Sequence, residues 1–400
     1  MKQIIILGGG FAGVAAAVAL KKHVKENLFS VTLVDKYVAQ TFTPSLYEVA
    51  TSEEPQKNIA IPFSEIFGTA ITVKQTTVTT IDTKNQKVLV ENGEAMNYDY
   101  LIIALGSESA DYGIEGLKQY AMPLKWLEDA VAIKEKIKNQ CCKDGECNKK
   151  TQIIIGGGGF SGTELAAELL TYKDRLAKQF NLAKDCLEVS IIQGSDRLLN
   201  ELDPHVSDIA QKRIAGPMTH FCFGGHIKKV TDKEISTDDG KTYPYDIFIW
   251  TGGIKGSSVL SKSGLPVNKK GQLPVNEQLQ MKDTTNIFVV GDAAEFTDPK
   301  TKQFAVTVAQ VAEDEGKIAG ENVYRLITNK PLLNYAFHHL GYIVPLRGRF
   351  ASAELMGSLH FDGFLGWVTQ QLVFFYYLLH ILPLWKSFKD WRTFELELSQ

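Results

Sequence analysis

An α/β fold made of two parallel-sheet domains followed by an apolar tail is predicted by three observations. A Gly-x-Gly-x-x-Gly turn occurs twice, at Gly8-Gly9-Gly10-Phe11-Ala12-Gly13 and at Gly157-Gly158-Gly159-Phe160-Ser161-Gly162, each between a β-branched run and an Ala/Leu-rich helix. The run Tyr98 to Gly106 is echoed by Tyr245 to Gly253, so the internal repeat extends beyond the turns. Finally, no Asp, Glu, Lys or Arg falls between Gly363 and Trp385. In such a turn the first glycine lets the strand reverse, the second lets backbone approach a pyrophosphate, and the third lets helix and strand pack closely. The helix N–H groups then face the anion. Two turns therefore predict two Rossmann-like dinucleotide-binding domains.

The elements follow in order. Ile4 to Leu7 reads as a strand, Ala12 to Lys22 as its helix, and Val31 to Val34 as a second strand ending on Asp35. Asp35 follows Gly13 by about 20 residues, where a carboxylate can accept hydrogen bonds from ribose hydroxyls. The segments Ile71-Thr72-Val73, Val78 to Ile81 and Lys87 to Val90 read as a small antiparallel layer. The chain returns in Tyr100 to Gly106, and a helical linker, Leu127 to Lys138, leads to the second turn, whose second strand ends on Gln193. Thr285 to Asp292 reads as a strand closed by a Gly291-Asp292 turn that brings the chain back to the first domain. The domain boundaries expected are 1–112 and 266–330 for the first domain, 113–265 for the second, and 331–400 for the tail.

Composition bounds the function. Four hundred residues with 44% hydrophobic content suffice for two or three cores, and a net charge of −3 without a Lys/Arg-rich block offers nothing to nucleic acid. A strand beginning near the N-terminus leaves no room for a leader, so a cytosolic body is expected. The five cysteines make no framework, and Cys141 to Cys147 reads as a reduced polar surface loop with no matching pair for a metal.

This order of motifs resembles the two-dinucleotide-binding-domain flavoproteins and, within them, is similar to the type II NADH:quinone oxidoreductases, the single-subunit, non-proton-pumping NADH dehydrogenases. Three segments carry the closer resemblance: Phe42-Thr43-Pro44-Ser45-Leu46-Tyr47-Glu48-Val49-Ala50-Thr51, Ala309-Gln310-Val311-Ala312, and the apolar tail. The resemblance implies FAD in the first domain and NADH in the second. On the FAD side it implies Gly8, Gly10, Phe11, Ala12, Gly13, Asp35, Lys36, Pro44, Ala104, Gly106, Gly291 and Asp292, and it adds Ala309 and Gln310 as cofactor-binding residues in the quinone-site motif. On the NADH side it implies Gly157, Gly159, Phe160, Ser161, Gly162, Glu164, Gln193, Thr251, Gly252 and Gly253. Glutathione reductase relatives need a cysteine pair soon after the first turn, and sulfide:quinone oxidoreductases need one late in the chain. This sequence has no cysteine before Cys141 or after Cys222.

Glu164 and Glu168 are four residues apart, on one helix face among Leu165, Ala166, Ala167 and Leu169. Like charges at that spacing are unfavourable, which suggests a purpose. The resemblance implies that they orient the nicotinamide and assist proton uptake by the quinone, with Gln310 a third catalytic residue. Gln193 stands where NADH-specific members carry a Glu. The neutral amide removes repulsion of a 2′-phosphate, so NADPH is left open as a second donor. The quinone site implied is Gln310, Ala312, Asp314 and Lys386, with Asp314 departing from the family's second Gln.

The tail is long enough to span a bilayer. Thr369, Gln370, Gln371 and Pro383 interrupt it, however, and Trp367, Tyr376, Tyr377, Trp385 and Trp391 are interfacial aromatics, with Lys386, Lys389 and Arg392 following. In-plane docking by two helices is therefore expected, against spanning or a buried dimer interface. The expectation is a peripheral, homodimeric FAD enzyme on the cytoplasmic face of the cell membrane, passing electrons from NADH to a quinone. A soluble reductase serving an electron-transfer protein, or a nucleotide sensor, is the alternative.

Overall fold

Five parallel strands form each of two sheets in the computed structural model, which describes residues 1–52, 59–141, 150–180, 186–357 and 359–398. In the first sheet the order is Ile287–Val289, Tyr100–Ile103, Lys2–Leu7, Phe29–Asp35, Thr72–Gln75. Ile4, Ile5, Ile6 and Leu7 are all buried, the continuous apolar run of a parallel strand covered on both faces. The central strand feeds helix α1 (Phe11–Lys21), and past Asp35 the chain makes the loop that enters the short helix α2 (Leu46–Thr51).

The second sheet repeats this plan: Met122–Pro123, Ile247–Trp250, Thr151–Gly156, Leu187–Gln193, Thr219–Phe223, with helix α3 (Phe160–Gln179) after its central strand. Each sheet takes one edge strand from outside its own run, the first from the returning chain and the second from the incoming linker. Both sheets also carry a three-stranded antiparallel layer, Val78–Asp82, Lys87–Val90, Ala95–Asn97 in one and Ile227–Val230, Glu234–Thr237, Thr242–Pro244 in the other. Ile71-Thr72-Val73, expected in the antiparallel layer, instead leads into the parallel edge strand paired with Phe29–Asp35. Its alternation suits either an edge strand or a half-covered layer, and the partner decides.

The two units are joined by the antiparallel pair Ser107–Ser109 and Ile254–Gly256 and by Trp250 Nε1 donating to the Ala110 carbonyl at 2.7 Å. After that crossing, Leu260 and Leu265 already pack with Ile5, Leu7 and Val34 of the first unit. Helix α4 (Ala309–Ile327) then lies against α1. The contact is backbone-close: a Cβ on Gly316 would stand 2.1 Å from the Ala12 carbonyl oxygen, and one on Gly320 2.6 Å from that of Ala16.

The C-terminal region opens with an antiparallel sheet the sequence did not suggest, Gly341–Pro345, Ala351–Leu355, Leu359–Gly363. Helices α5 (Phe364–Ile381) and α6 (Leu384–Leu398) follow, parted at Pro383. One face of α5 is buried, through Gln371, Phe374, Tyr377, Leu378 and Ile381, and the other is exposed, through Phe364, Leu365, Leu372, Val373, Tyr376 and Leu379. Two expected interfacial aromatics therefore point elsewhere. Tyr377 faces the core, and Trp391 packs on Phe375 and Phe388 between the two helices. Cys141 is likewise buried at a helix end rather than in a surface loop, while Cys142 and Cys147 lie outside the described residues.

Candidate active site

The two glycine turns have the same geometry. Gly8 and Gly157 sit at φ +97° and +110°, and a Cβ on either would strike backbone, at 2.3 Å from the Ala104 oxygen and 2.7 Å from the Gly252 Cα. A Cβ on Gly13 would stand 1.8 Å from the Gly8 carbonyl oxygen, and one on Gly162 1.9 Å from that of Gly157. Gly10 and Gly159, by contrast, would meet nothing within 4 Å. Neither helix start carries a side-chain cap. Each turn is thus a cradle open at its middle glycine with uncapped N–H groups facing outward, which fits a pyrophosphate.

The strand-end residues differ. Asp35 Oδ2 accepts from Gly9 N at 2.6 Å and Oδ1 from Tyr37 N at 2.8 Å, leaving lone pairs for ribose hydroxyls. Burial pushes its pKa up, and these N–H groups and Lys36 oppose the shift. Gln193 Oε1 takes the equivalent bond from Gly158 N at 2.8 Å, while Nε2 donates to Ser195 Oγ at 2.7 Å and Asn200 Oδ1 at 3.2 Å. Arg197 donates to the Asn200 and Leu202 carbonyls, closing the same loop. Thr251 Oγ1 bonds the Gly157 carbonyl at 3.0 Å, so it fastens the second turn.

At the edge of the first sheet, Asp292 accepts from Ser107 Oγ, which also accepts from Lys125 Nζ at 2.7 Å. Behind Gly291, whose N–H donates to Glu315 Oε2 at 2.6 Å, Glu315 is 2% exposed and burial raises its pKa to about 8. Lys36 lies 3.9 Å from the Trp126 ring centroid and 4.6 Å from that of Tyr37. Pro44 is exposed in the loop that begins at Phe42.

Three carboxyls meet where α2 packs on α3. Glu48 Oε1 accepts from the Tyr47 hydroxyl at 2.8 Å, and its Oε2 is buried without a hydrogen bond. Burial raises Glu48 to about 8, with Glu168 adding to the shift, and burial together with Glu48 raises Glu164 to about 8. Burial also raises Glu168, against Arg175, whose Nη2 lies 3.2 Å from Glu168 Oε1 and 3.1 Å from the Thr51 carbonyl. The site therefore holds protons at neutral pH.

On α4, Gln310 bridges weakly to the His338 carbonyl and the Leu340 N–H at 3.4 and 3.3 Å. Glu313 pairs with Lys317 at 2.7 Å and with His380 of α5 at 2.5 Å, and Asp314, raised by burial, lies 3.7 Å from Lys317. Lys386 does not join them: it pairs with Glu65 of the short helix Phe63–Phe67. Tail and loop meet through Phe11, Phe42, Phe374 and Tyr377, with ring centroids 4.6–5.7 Å apart.

Residues 2–316 match the pyridine nucleotide-disulphide oxidoreductase family. The chain belongs to that family. Within this family it is 32% identical over 384 residues to the demethylphylloquinone reductase NdbB of Synechocystis, covering 94% of this chain and 91% of that one. It is 27% identical over 392 residues to the type II NADH:quinone oxidoreductase of Haemophilus influenzae, covering 90% and 87%. The solved structure of NDH2 from Plasmodium falciparum in complex with NADH superposes with a TM-score of 0.86 at 19% identity, covering 98% and 97%. This pyridine nucleotide-disulphide oxidoreductase is accordingly a relative of the type II NADH:quinone oxidoreductases.

In this family member the expected turn residues, Asp35, Lys36 and Asp292 fall at the sheet edges, and Glu164 and Glu168 fall together on α3. Glu48, Ser107, Lys125 and Glu315 join the site without having been expected from the sequence. Glu48 had a signal, an acid among apolar residues in Leu46-Tyr47-Glu48-Val49-Ala50, whereas Glu315 is the last of the acidic run Glu313-Asp314-Glu315 and nothing local sets it apart. Ser107 and Lys125 had none, because only the fold brings them to Asp292.

Proposed function

We propose that the chain oxidises NADH, passes two electrons through FAD and delivers them to a membrane quinone without pumping protons. One observation carries this reading: α3, the helix of the second turn, brings Glu164 and Glu168 onto α2 of the first domain, and the tail helix closes over the start of α1 at Phe11 and the loop at Phe42. A donor on the second turn and an acceptor reached from the tail thus share one junction.

Bound FAD supplies the two-electron chemistry, accepting hydride and giving electrons singly or in pairs. The chain's residues do the rest. Gly8, Gly10, Gly13 and the α1 N–H groups hold the pyrophosphate, Asp35 the ribose and Asp292 the ribityl chain, with Asp292 oriented by Ser107 and Lys125. Gly157, Gly159, Gly162 and Gln193 hold the dinucleotide donor. Glu164 carries a proton at neutral pH beside the nicotinamide end and, with Glu48, can release it as charge develops. Gln193 admits NADPH because no carboxylate faces a 2′-phosphate. The proposed divisions are residues 1–112 and 266–330 for FAD, 113–265 for NADH, and 331–400 for docking, with the quinone near Gln310, Ala312 and Asp314.

For the tail, we favour docking in the membrane plane on the cytoplasmic face, as a homodimer. Helix α5 is the one described helix long and apolar enough to cross a membrane, by length and composition alone. Its inner face is occupied by protein, so it offers lipid only the outer face. Trp385 and Phe388 continue that face on α6, at 70% and 52% exposure. Substituting both with Glu tests the reading without baring Phe11 and Phe42, as deletion of the tail would. The expected outcome is loss of vesicle co-sedimentation and of long-chain quinone turnover, with short soluble quinones still reduced. Unchanged co-sedimentation and long-chain turnover would favour the soluble reductase.

A further inference from the structure

The buried face of α5 and the strand Ala39–Thr41 carry buried polar atoms with no hydrogen-bond partner among the described residues. Gln40, 1% exposed, has neither amide atom in a hydrogen bond; Tyr377, 6% exposed, has an unpartnered hydroxyl; and Gln371, 4% exposed, has an unpartnered Oε1. Gln40 and Tyr377 face one another across the seam between the loop and the tail, without the geometry of a hydrogen bond. Leaving such groups unmade costs about 1–3 kcal/mol each. A seam that served packing alone would be expected to carry apolar side chains here, as it does at Phe11, Phe42 and Phe374. Gln40 and Tyr377 at this aromatic seam, with Gln371 farther along the same buried face of α5, call for a ligand that is flat, apolar at its faces and polar at its edge.

We propose that the Gln40 amide and the Tyr377 hydroxyl, with Gln371 on the same helix face, are the contacts that grip the quinone head group, an inference that rests on the quinone reading above. The chemistry matches both redox states. A quinone carbonyl only accepts, and the Gln40 Nε2 and the Tyr377 hydroxyl donate; a quinol hydroxyl also donates, and the Gln40 and Gln371 Oε1 atoms accept. Burial first, with Glu313 adding to it, holds the Tyr377 hydroxyl well above the ordinary tyrosine range, so it remains a donor. Glu313 also ties the seam to α4, one residue past Ala312. The charged groups facing it there are Glu313, Lys317 and His380. Two of the three contacts ride on the tail helix, whose outer face is the lipid-facing one, so a head group entering from the bilayer passes along α5 to reach them.

The test uses the intact flavin-loaded enzyme, Gln40→Leu and Tyr377→Phe, and a ubiquinone with one isoprenoid unit. Each variant is expected to raise the quinone KM about tenfold, the loss of one hydrogen bond. The flavin-to-protein absorbance ratio, the rate of anaerobic flavin reduction by NADH and the kcat at saturating quinone should stay within twofold of the parent. Gln40→Leu should also weaken product inhibition by the quinol, which Tyr377→Phe should affect less. Melting temperatures equal to or above the parent's show that the variants fold; Tyr377→Phe, which removes one oxygen, serves if Gln40→Leu does not. An unchanged quinone KM in a folded variant overturns the proposal, as does loss of flavin in step with activity, which would make these residues cofactor contacts. If the parent itself reduces no quinone, the functional reading falls and this inference with it.

Discussion

The two glycine turns are nearly the same object in backbone and different objects in side chain. Both reverse at a left-handed glycine, both pack their last glycine against a carbonyl under 2 Å from a notional Cβ, and both leave the middle glycine open. At the strand end, however, one places a carboxylate with free lone pairs and the other an amide whose N–H₂ is committed to Ser195 and Asn200. The helices differ as well. Helix α1 is small-residue and buried, clamped by Gly316 and Gly320, whereas α3 carries Glu164 and Glu168 toward the neighbouring domain. The lesson is that the cradle fixes only where a pyrophosphate sits. In the function proposed above, the strand-end residue and the outer helix face are what separate the unit of the resident cofactor from that of the exchanging one.

The comparison breaks most visibly if the turns are filled. Gly13→Val and Gly162→Val introduce the same clash, costing about 3 kcal/mol or more. Gly13→Val should abolish flavin occupancy, read from the flavin-to-protein absorbance ratio. Gly162→Val should leave the protein yellow and raise the NADH KM at least tenfold. Loss of flavin in both would mean that the second turn does not serve an exchanging dinucleotide.

A smaller effect is expected at the side chains proposed to hold FAD. Asp292→Ala and Asp35→Ala each delete an acceptor worth about 1–3 kcal/mol, so flavin retention through gel filtration should fall, more at Asp292, which Ser107 and Lys125 orient. On the exchanging side, Gln193→Glu should lower the NADPH to NADH ratio of kcat/KM by about tenfold, roughly 1.4 kcal/mol. An unchanged ratio would show that this amide does not read the ribose.

These differences mark how far the sequence could be read. The turns, Asp35, the Gly291-Asp292 return and the two tail helices were legible because each rests on local spacing: a glycine triplet, a strand-end acid, an uncharged run. Ile71-Thr72-Val73 was not, since an alternating strand does not say whether its partner runs parallel or antiparallel. Tyr377 read as an interfacial aromatic because composition gives a helix's residues but not which way it turns. Gly316 and Gly320 hinted at the close α1 contact only once α1 was placed beside them. The seam of Gln40, Gln371 and Tyr377 joins residues more than 300 positions apart, and no local pattern announces it.

The smallest expected effect separates the helix faces by pH. Glu48, Glu164 and Glu315 have folded pKa values raised to about 8 from an ordinary 4.5. The folded state therefore binds more protons than the unfolded one between those values, and their contribution to stability is full below about pH 4.5 and lost as pH rises through about 8. The melting temperature should decline across that window. Glu164→Gln should flatten the decline, and a substitution on α1, which bears no acid, should not. An equally steep profile in Glu164→Gln would place that carboxyl in water.

In the proposed reaction electrons cross from the second turn to the first and leave toward the membrane. An anaerobic spectrum of the purified protein tests it most directly: stoichiometric NADH is added, then vesicles carrying a long-chain quinone. The prediction is bleaching of the flavin bands on the first addition and full recovery on the second. A flavin that NADH leaves unbleached, or one that stays bleached with the quinone and recovers only with a soluble iron-sulfur protein, would contradict it.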